Sequence, residues 1–377
     1  MRAISCAGAV FFVCLGHATK WDAQGSPTTD VNIISVEMTL IIIYNSVPGA
    51  SANRMNEPFL PPFYLKSTFA QTFLSSSSIR KWGANPMLAA AQQVILDTVA
   101  GIRLQGFYSP QSAGQAKGVV MLLHGWEGSA NSAYILGTGR YLYNQGYSVF
   151  RVNYRDHGET HHLNSGLFYA VLLEEVFQAV QQVAGYTPAL PFTIVGFSLG
   201  GNFALRIARR CVQTPIANLA HVFSISPALN PEKSTSAIDN NPLLRKYFQQ
   251  KWARSLIKKQ ALFPDLYDFK DVIALDSIAD MTEVMVQRYS DFNNSKDYFQ
   301  GYAVLGNALR ELTTPTTIIT SQDDPIIPVE DFLNLKRNQL TSLIIHPYGG
   351  HNGFLETIAG RTWYERKILE TLNGVSE

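Results

Sequence analysis

From residue 117 onward, short apolar runs alternate with longer segments whose apolar positions recur every three or four residues. The runs at 118–123, 146–154, 192–195, 221–225, 316–320 and 342–345 are rich in Val, Ile, Leu and Phe. Apolar stretches of this length read as strands covered on both faces, as in a parallel sheet. Segments 132–144, 166–183, 202–211, 329–336 and 354–372 carry the helical pattern. Strand and helix alternating in this way predict an α/β fold, a doubly wound and mostly parallel sheet with right-handed crossovers. Ahead of this body, residues 94–108 alternate well enough for one or two strands, with Asp97 and Arg103 on the wet face. Residues 65–74 predict a short helix behind a proline-rich start.

Two intervals break the rhythm. Residues 227–312 contain no strand-like run, but helical stretches, clearest at 242–262 and 277–287, and many aromatic residues. A helical insertion at the ligand-binding end of a parallel sheet predicts a cap over a site, with most of its aromatics forming its own small core. Residues 1–54 form an atypical extension. The apolar run at 3–16, behind Arg2 and ending Gly16-His17-Ala18, has the form of a secretory signal. The alternatives are a disordered tail or a start at Met55, and the extension or tail is preferred. The expected location is then the cytoplasm, with export or membrane association if residues 1–18 act as a signal. No run reaches the roughly 18 apolar residues of a spanning helix, so no stable membrane span is expected. The main domain is expected over 55–377, with the cap at about 227–312.

Composition narrows the classes. A 377-residue chain that is 46% hydrophobic and carries a net charge of +1 can bury a sizeable core. It offers no basic stripe for nucleic acid. Of the three cysteines, Cys211 alone lies in the folded body, where it reads as a small buried apolar residue. No Cys/His spacing suits a metal, and His161-His162 reads as loop or positioning residues.

Candidate chemistry gathers at the C-terminal ends of the predicted strands. The run at 192–195 leads into Gly196-Phe197-Ser198-Leu199-Gly200, followed by a helix. Strand, G-x-S-x-G and helix make a nucleophile elbow, with the serine on a tight turn and small residues clearing space beside it. Ser198 then needs an acid and a base, which follow the elbow in that order on such sheets. Asp323 and Asp324 both lie in the turn after 316–320; Asp324, fixed by Pro325, is the candidate acid, and Asp323 a solvent-facing neighbour or a helper in the turn. His351, in a glycine-rich loop after the last strand, is the candidate base. Two backbone N–H groups would hold the oxyanion, those of Leu199 and Trp126, with His124 and Gly125 supporting the second. Arg155-Asp156-His157-Gly158 reads mainly as structural, Arg155 and Asp156 pairing with each other or with neighbours; contact with substrate or support of the His124 loop is the alternative.

Taken together, the elbow, the HGWEGS loop at 124–129, NYRDHGET at 153–160, DDPIIP at 323–328 and the GGH loop at 349–351 resemble α/β-hydrolases of the YheT-like branch. Eukaryotic relatives of that branch are described as esterases and monoacylglycerol lipases. Pro61-Pro62-Phe63-Tyr64-Leu65-Lys66 with Gln71-Thr72 is similar to the opening segment of that branch, and the resemblance spans about residues 58–372. It implies hydrolysis of short or medium acyl esters or acylglycerols through Ser198, Asp324 and His351, without a cofactor. An acyltransferase or thioesterase using the same triad is the alternative reading. A non-catalytic binding protein on this fold would be expected to have lost a triad position.

Overall fold

The structure is a computed structural model that describes residues 3–6, 9–12, 59–112 and 114–374. The chain divides into two units, residues 1–52 and 53–377. In the first, Ala3–Cys6 and Ala9–Phe12 pair as antiparallel strands with Ala3 opposite Phe12. The other expectations for residues 1–54 lie outside the described residues.

The second unit is built on eight strands among the described residues: β1 (Gln92–Asp97), β2 (Arg103–Ser109), β3 (Val119–Leu123), β4 (Ser148–Asn153), β5 (Phe192–Phe197), β6 (Leu219–Ile225), β7 (Thr316–Ser321) and β8 (Thr341–His346). They form one sheet in the order β8-β7-β6-β5-β3-β4-β2-β1. Strands β3 to β8 pair in parallel, and β2 runs antiparallel to both β1 and β4. This is the predicted α/β architecture. Asp97 and Arg103 face each other across the β1–β2 pair and are both exposed.

The strict two-residue period of β3 shows why that strand is apolar throughout. Val119, Met121 and Leu123 face the core formed with helices Leu173–Ala184 and Leu199–Arg210. Val120 and Leu122 face the opposite core, formed with helices Ala133–Asn144 and Trp363–Leu372. Cys211 is buried in the first core.

Three helices are shorter than the pattern predicts. The one expected over 166–183 begins only at Leu173. Its missing first turns are held by side chains from elsewhere. Lys259 Nζ donates to Gly166 O at 3.0 Å, and Arg206 donates to Ala170 O at 2.6 Å and Val171 O at 3.1 Å. Phe168 N donates to Asp156 Oδ2 at 2.9 Å. The helix expected over 354–372 begins at Trp363. Its start is written locally as Thr362-x-x-Glu365, where the Glu365 carboxylate accepts from Thr362 N at 3.3 Å. The segment 329–336 keeps only the four-residue turn Glu330–Leu333.

Every residue between β6 and β7 is described, and there the chain forms helices Pro231–Asp239, Pro242–Leu262, Lys270–Ile273, Ile278–Tyr289 and Ser295–Tyr302. Asn230, Asn241, Ser277 and Asn294 cap four of them with side-chain oxygens. Phe269, Tyr298, Phe299 and Tyr302 are buried among these helices.

Candidate active site

β5 enters Ser198 through wholly buried residues, and the helix Leu199–Arg210 leaves it. Ser198 sits at φ 54°, ψ −116°, a strained conformation for a side-chain-bearing residue. Only glycine fits on either side of the turn. A Cβ on Gly196 would lie 2.1 Å from Gly200 O, and one on Gly200 would lie 2.2 Å from Leu123 O. As the first residue of the helix, Leu199 has an N–H without an intrahelical acceptor.

The loop after β3 crosses directly beside this turn. A Cβ on Gly125 would lie 3.2 Å from the Ser198 Cβ. Tyr134 Oη accepts from Gly125 N at 2.9 Å, and Gly128 N donates to Gly125 O at 3.0 Å, which sets the turn that carries Trp126. His124 is fully buried, and its Nδ1 donates to Gly125 O at 2.8 Å. Burial, reinforced by the nearby His157, holds His124 well below the usual imidazole range, so it is neutral. The Trp126 indole is gripped by the longest helix of the insertion, stacked on Phe248 at 5.5 Å and edge-on to Trp252 at 5.3 Å.

Asp324 and His351 come together from the ends of β7 and β8. His351 Nδ1 lies 2.9 Å from Asp324 Oδ2 and 3.1 Å from Oδ1. The Asp324 side chain is fully buried, and its Oδ1 also accepts from Ile326 N at 2.9 Å and Ile327 N at 3.0 Å. A carboxylate that accepts must be met by a proton on Nδ1, which leaves Nε2 of a neutral His351 bare. Asp323 points elsewhere. It accepts from Gly350 N at 2.9 Å and from Thr68 Oγ1 at 2.9 Å, so it ties the histidine loop to an N-terminal helix rather than facing solvent.

That helix, Thr68–Ser75, holds residues to which the sequence assigned no role. Thr72 Oγ1 accepts from His351 N at 3.0 Å, and Gln71 Oε1 accepts from Leu355 N at 2.7 Å. The available signal was the Gln71-Thr72 pair within the resemblance. The Arg155-Asp156 segment pairs with neighbours, not internally. Arg155 meets Glu175, and Asp156 Oδ1 accepts from Lys259 Nζ at 2.7 Å. His161 Nε2 reaches Ser255 Oγ at 2.8 Å, and Lys258 meets Glu159. The contacts of Ser255, Lys258 and Lys259 sew the longest insertion helix to the rim of the sheet.

One cavity of about 600 Å³ collects these parts. Ser198, Leu199, Gly125, Trp126 and His351 line it together, and Leu167, Leu244, Phe248, Trp252 and Met285 are among its apolar walls. Glu127 also lines it, at φ 54°. Burial pushes the Glu127 carboxyl up to about 8 against the pull of Lys251.

Residues 114–357 match the model of the family described as serine aminopeptidase, S33. The chain belongs to this family of α/β-hydrolases. A putative esterase of Synechocystis is 26% identical over 328 residues, covering 79% of this chain and 87% of its own length. The putative esterase YheT of Escherichia coli is 26% identical, covering 68% of this chain and 77% of its own. A monoacylglycerol lipase of Saccharomyces cerevisiae is 21% identical, with 72% and 63% covered. Among solved structures, an esterase of Pyrobaculum calidifontis shares the fold with a TM-score of 0.51 at 18% identity, over 83% of this chain and 92% of that one. This α/β-hydrolase is therefore of the esterase and lipase type, in the YheT-like branch.

Proposed function

We propose that this α/β-hydrolase cleaves carboxylic esters with an apolar acyl group, short or medium acyl esters or acylglycerols, through Ser198, His351 and Asp324. The observation that carries the reading is the buried Asp324–His351 pair, whose histidine lines the same cavity as the strained Ser198. With its Nδ1 proton engaged by Asp324, His351 offers Nε2 to the Ser198 hydroxyl. The proton moves to Nε2 as Oγ bonds to the ester carbonyl carbon, and Asp324 stabilises the imidazolium. The carbonyl oxygen becomes an oxyanion, met by the N–H groups of Leu199 and Trp126. Collapse breaks the carbon–oxygen bond to the alcohol, which leaves with the proton from Nε2. Water then attacks the acyl-enzyme, with His351 again taking a proton and returning it to Oγ.

The apolar cavity walls support an acyl chain as the bound portion, and the volume falls within the roughly 300–1,000 Å³ of small-molecule sites. The relative named monoacylglycerol lipase points the same way. A fluorophosphonate probe is expected to label the protein, and Ser198→Ala to abolish both labelling and hydrolysis of p-nitrophenyl butyrate. Normal labelling of the alanine variant would refute Ser198 as the nucleophile.

A further inference from the structure

Helix Thr68–Ser75 is inside out. It buries Gln71, Thr72 and Ser75 and exposes Phe69 and Phe73. An amphipathic surface helix does the reverse. The polar side is engaged, since it holds the His351 loop. On the outer side Phe69 and Phe73, one turn apart, stack at 6.0 Å. The flanking stretch adds Leu60 at 69% exposed, Phe63 at 86% and Trp82 at 73%. Phe73, Ser76 and Lys81 line the cavity, so the apolar face is continuous with its wall. Large exposed apolar patches mark interaction surfaces.

Charge indicates the partner. From Phe59 to Leu96 the chain has Lys66, Arg80 and Lys81 and neither Asp nor Glu. Arg80 is turned inward onto Glu365, while Lys66 lies over the Tyr348 ring at 5.4 Å. We propose that this face docks on an anionic lipid surface, its rings entering the headgroup layer and its lysines meeting lipid phosphates. Aromatic rings with basic neighbours suit that boundary. No helix among the described residues is long and apolar enough to cross a membrane, and the contact proposed is a peripheral one. The proposal rests on the ester-hydrolase reading only for its purpose, delivery of a lipid acyl chain to the cavity beside Phe73.

The test uses the full chain and vesicle flotation, with vesicles of phosphatidylcholine alone and of equal parts phosphatidylcholine and phosphatidylglycerol. Binding is expected to the mixed vesicles, weakening with added salt. Phe63→Glu with Phe69→Glu should weaken it at least tenfold, because each ring loses its transfer into the apolar layer. Hydrolysis of soluble p-nitrophenyl acetate should stay within twofold of the parent. Phe63→Ala with Phe69→Ala, checked for an unchanged melting temperature, should also weaken binding. Ser198→Ala should bind as the parent does, so vesicle binding without ester turnover would sink the catalytic reading and leave this one standing. No vesicle binding, or equal binding by the double variants, overturns the proposal. A parent that fails to bind but forms a dimer broken by the same substitutions would assign the face to a second copy instead.

Discussion

Lys259→Met tests whether the insertion is fastened by a buried charge. The Lys259 side chain is 1% exposed, and its Nζ donates to Asp156 Oδ1 at 2.7 Å, Asn164 O at 2.7 Å, Gly166 O at 3.0 Å and His161 O at 3.4 Å. Methionine fills similar space without the ammonium. It leaves the Asp156 carboxylate with Phe168 N as its donor and three carbonyls without this partner. Breaking one side of a buried pair costs about 3–5 kcal/mol. The orphaned carbonyls do not add in full, since burial already pushes Asp156 upward and it can take a proton. At about 2 °C per kcal/mol for a domain of this size, melting should fall by roughly 6–10 °C. The lost fastening also frees the helix that clamps Trp126, so kcat/KM for p-nitrophenyl butyrate should fall about tenfold. Calorimetry and steady-state kinetics read the two effects. Adding Asp156→Leu should restore part of the melting temperature, because the stranded carboxylate is gone. A loss under about 2 °C with unchanged kcat/KM would refute the reasoning.

Two further outcomes separate neighbouring groups. Asp324→Asn should lower kcat by about a thousandfold or more through the wrong His351 tautomer. Asp323→Asn, which keeps an acceptor for Gly350 N, should cost less than about tenfold, and a larger loss at Asp323 would reverse the assignment of the acid. Glu127 predicts a loss of stability as pH rises from about 4.5 to 8. Its folded value of about 8 lies above the ordinary 4.5, so between these the folded state keeps a proton that the unfolded chain has lost. Stability should therefore fall as pH rises through that window. Glu127→Gln should melt like the parent below pH 4.5 and at a higher temperature above pH 8; equal melting at both ends would contradict the burial argument.

The core of the sheet and the tight turn at Ser198 are written locally along the chain. Strands β3 and β5 are the most legible because each is buried on both faces, so nearly all of its residues are apolar whatever the neighbours are. The tight turn at Ser198 is legible because Gly196 and Gly200 leave no room for a side chain. Where backbone is satisfied by distant groups, the local pattern misleads. Residues 166–172 have helical periodicity, but Lys259, Arg206 and Asp156 hold their backbone outside a helix. The same limit applies to the adjacent carboxylates. The sequence offers Asp323 and Asp324 side by side. Only the approach of β8 and the N-terminal helix sends one to the His351 ring and the other to Gly350 and Thr68. Likewise the polar residues Gln71 and Thr72 face inward because the His351 loop, nearly 280 residues away, presents them with N–H groups to accept. Hydrophobic burial acts on each residue and can be read along the chain. Hydrogen-bond partners separated by a hundred residues or more exist only once the fold has closed.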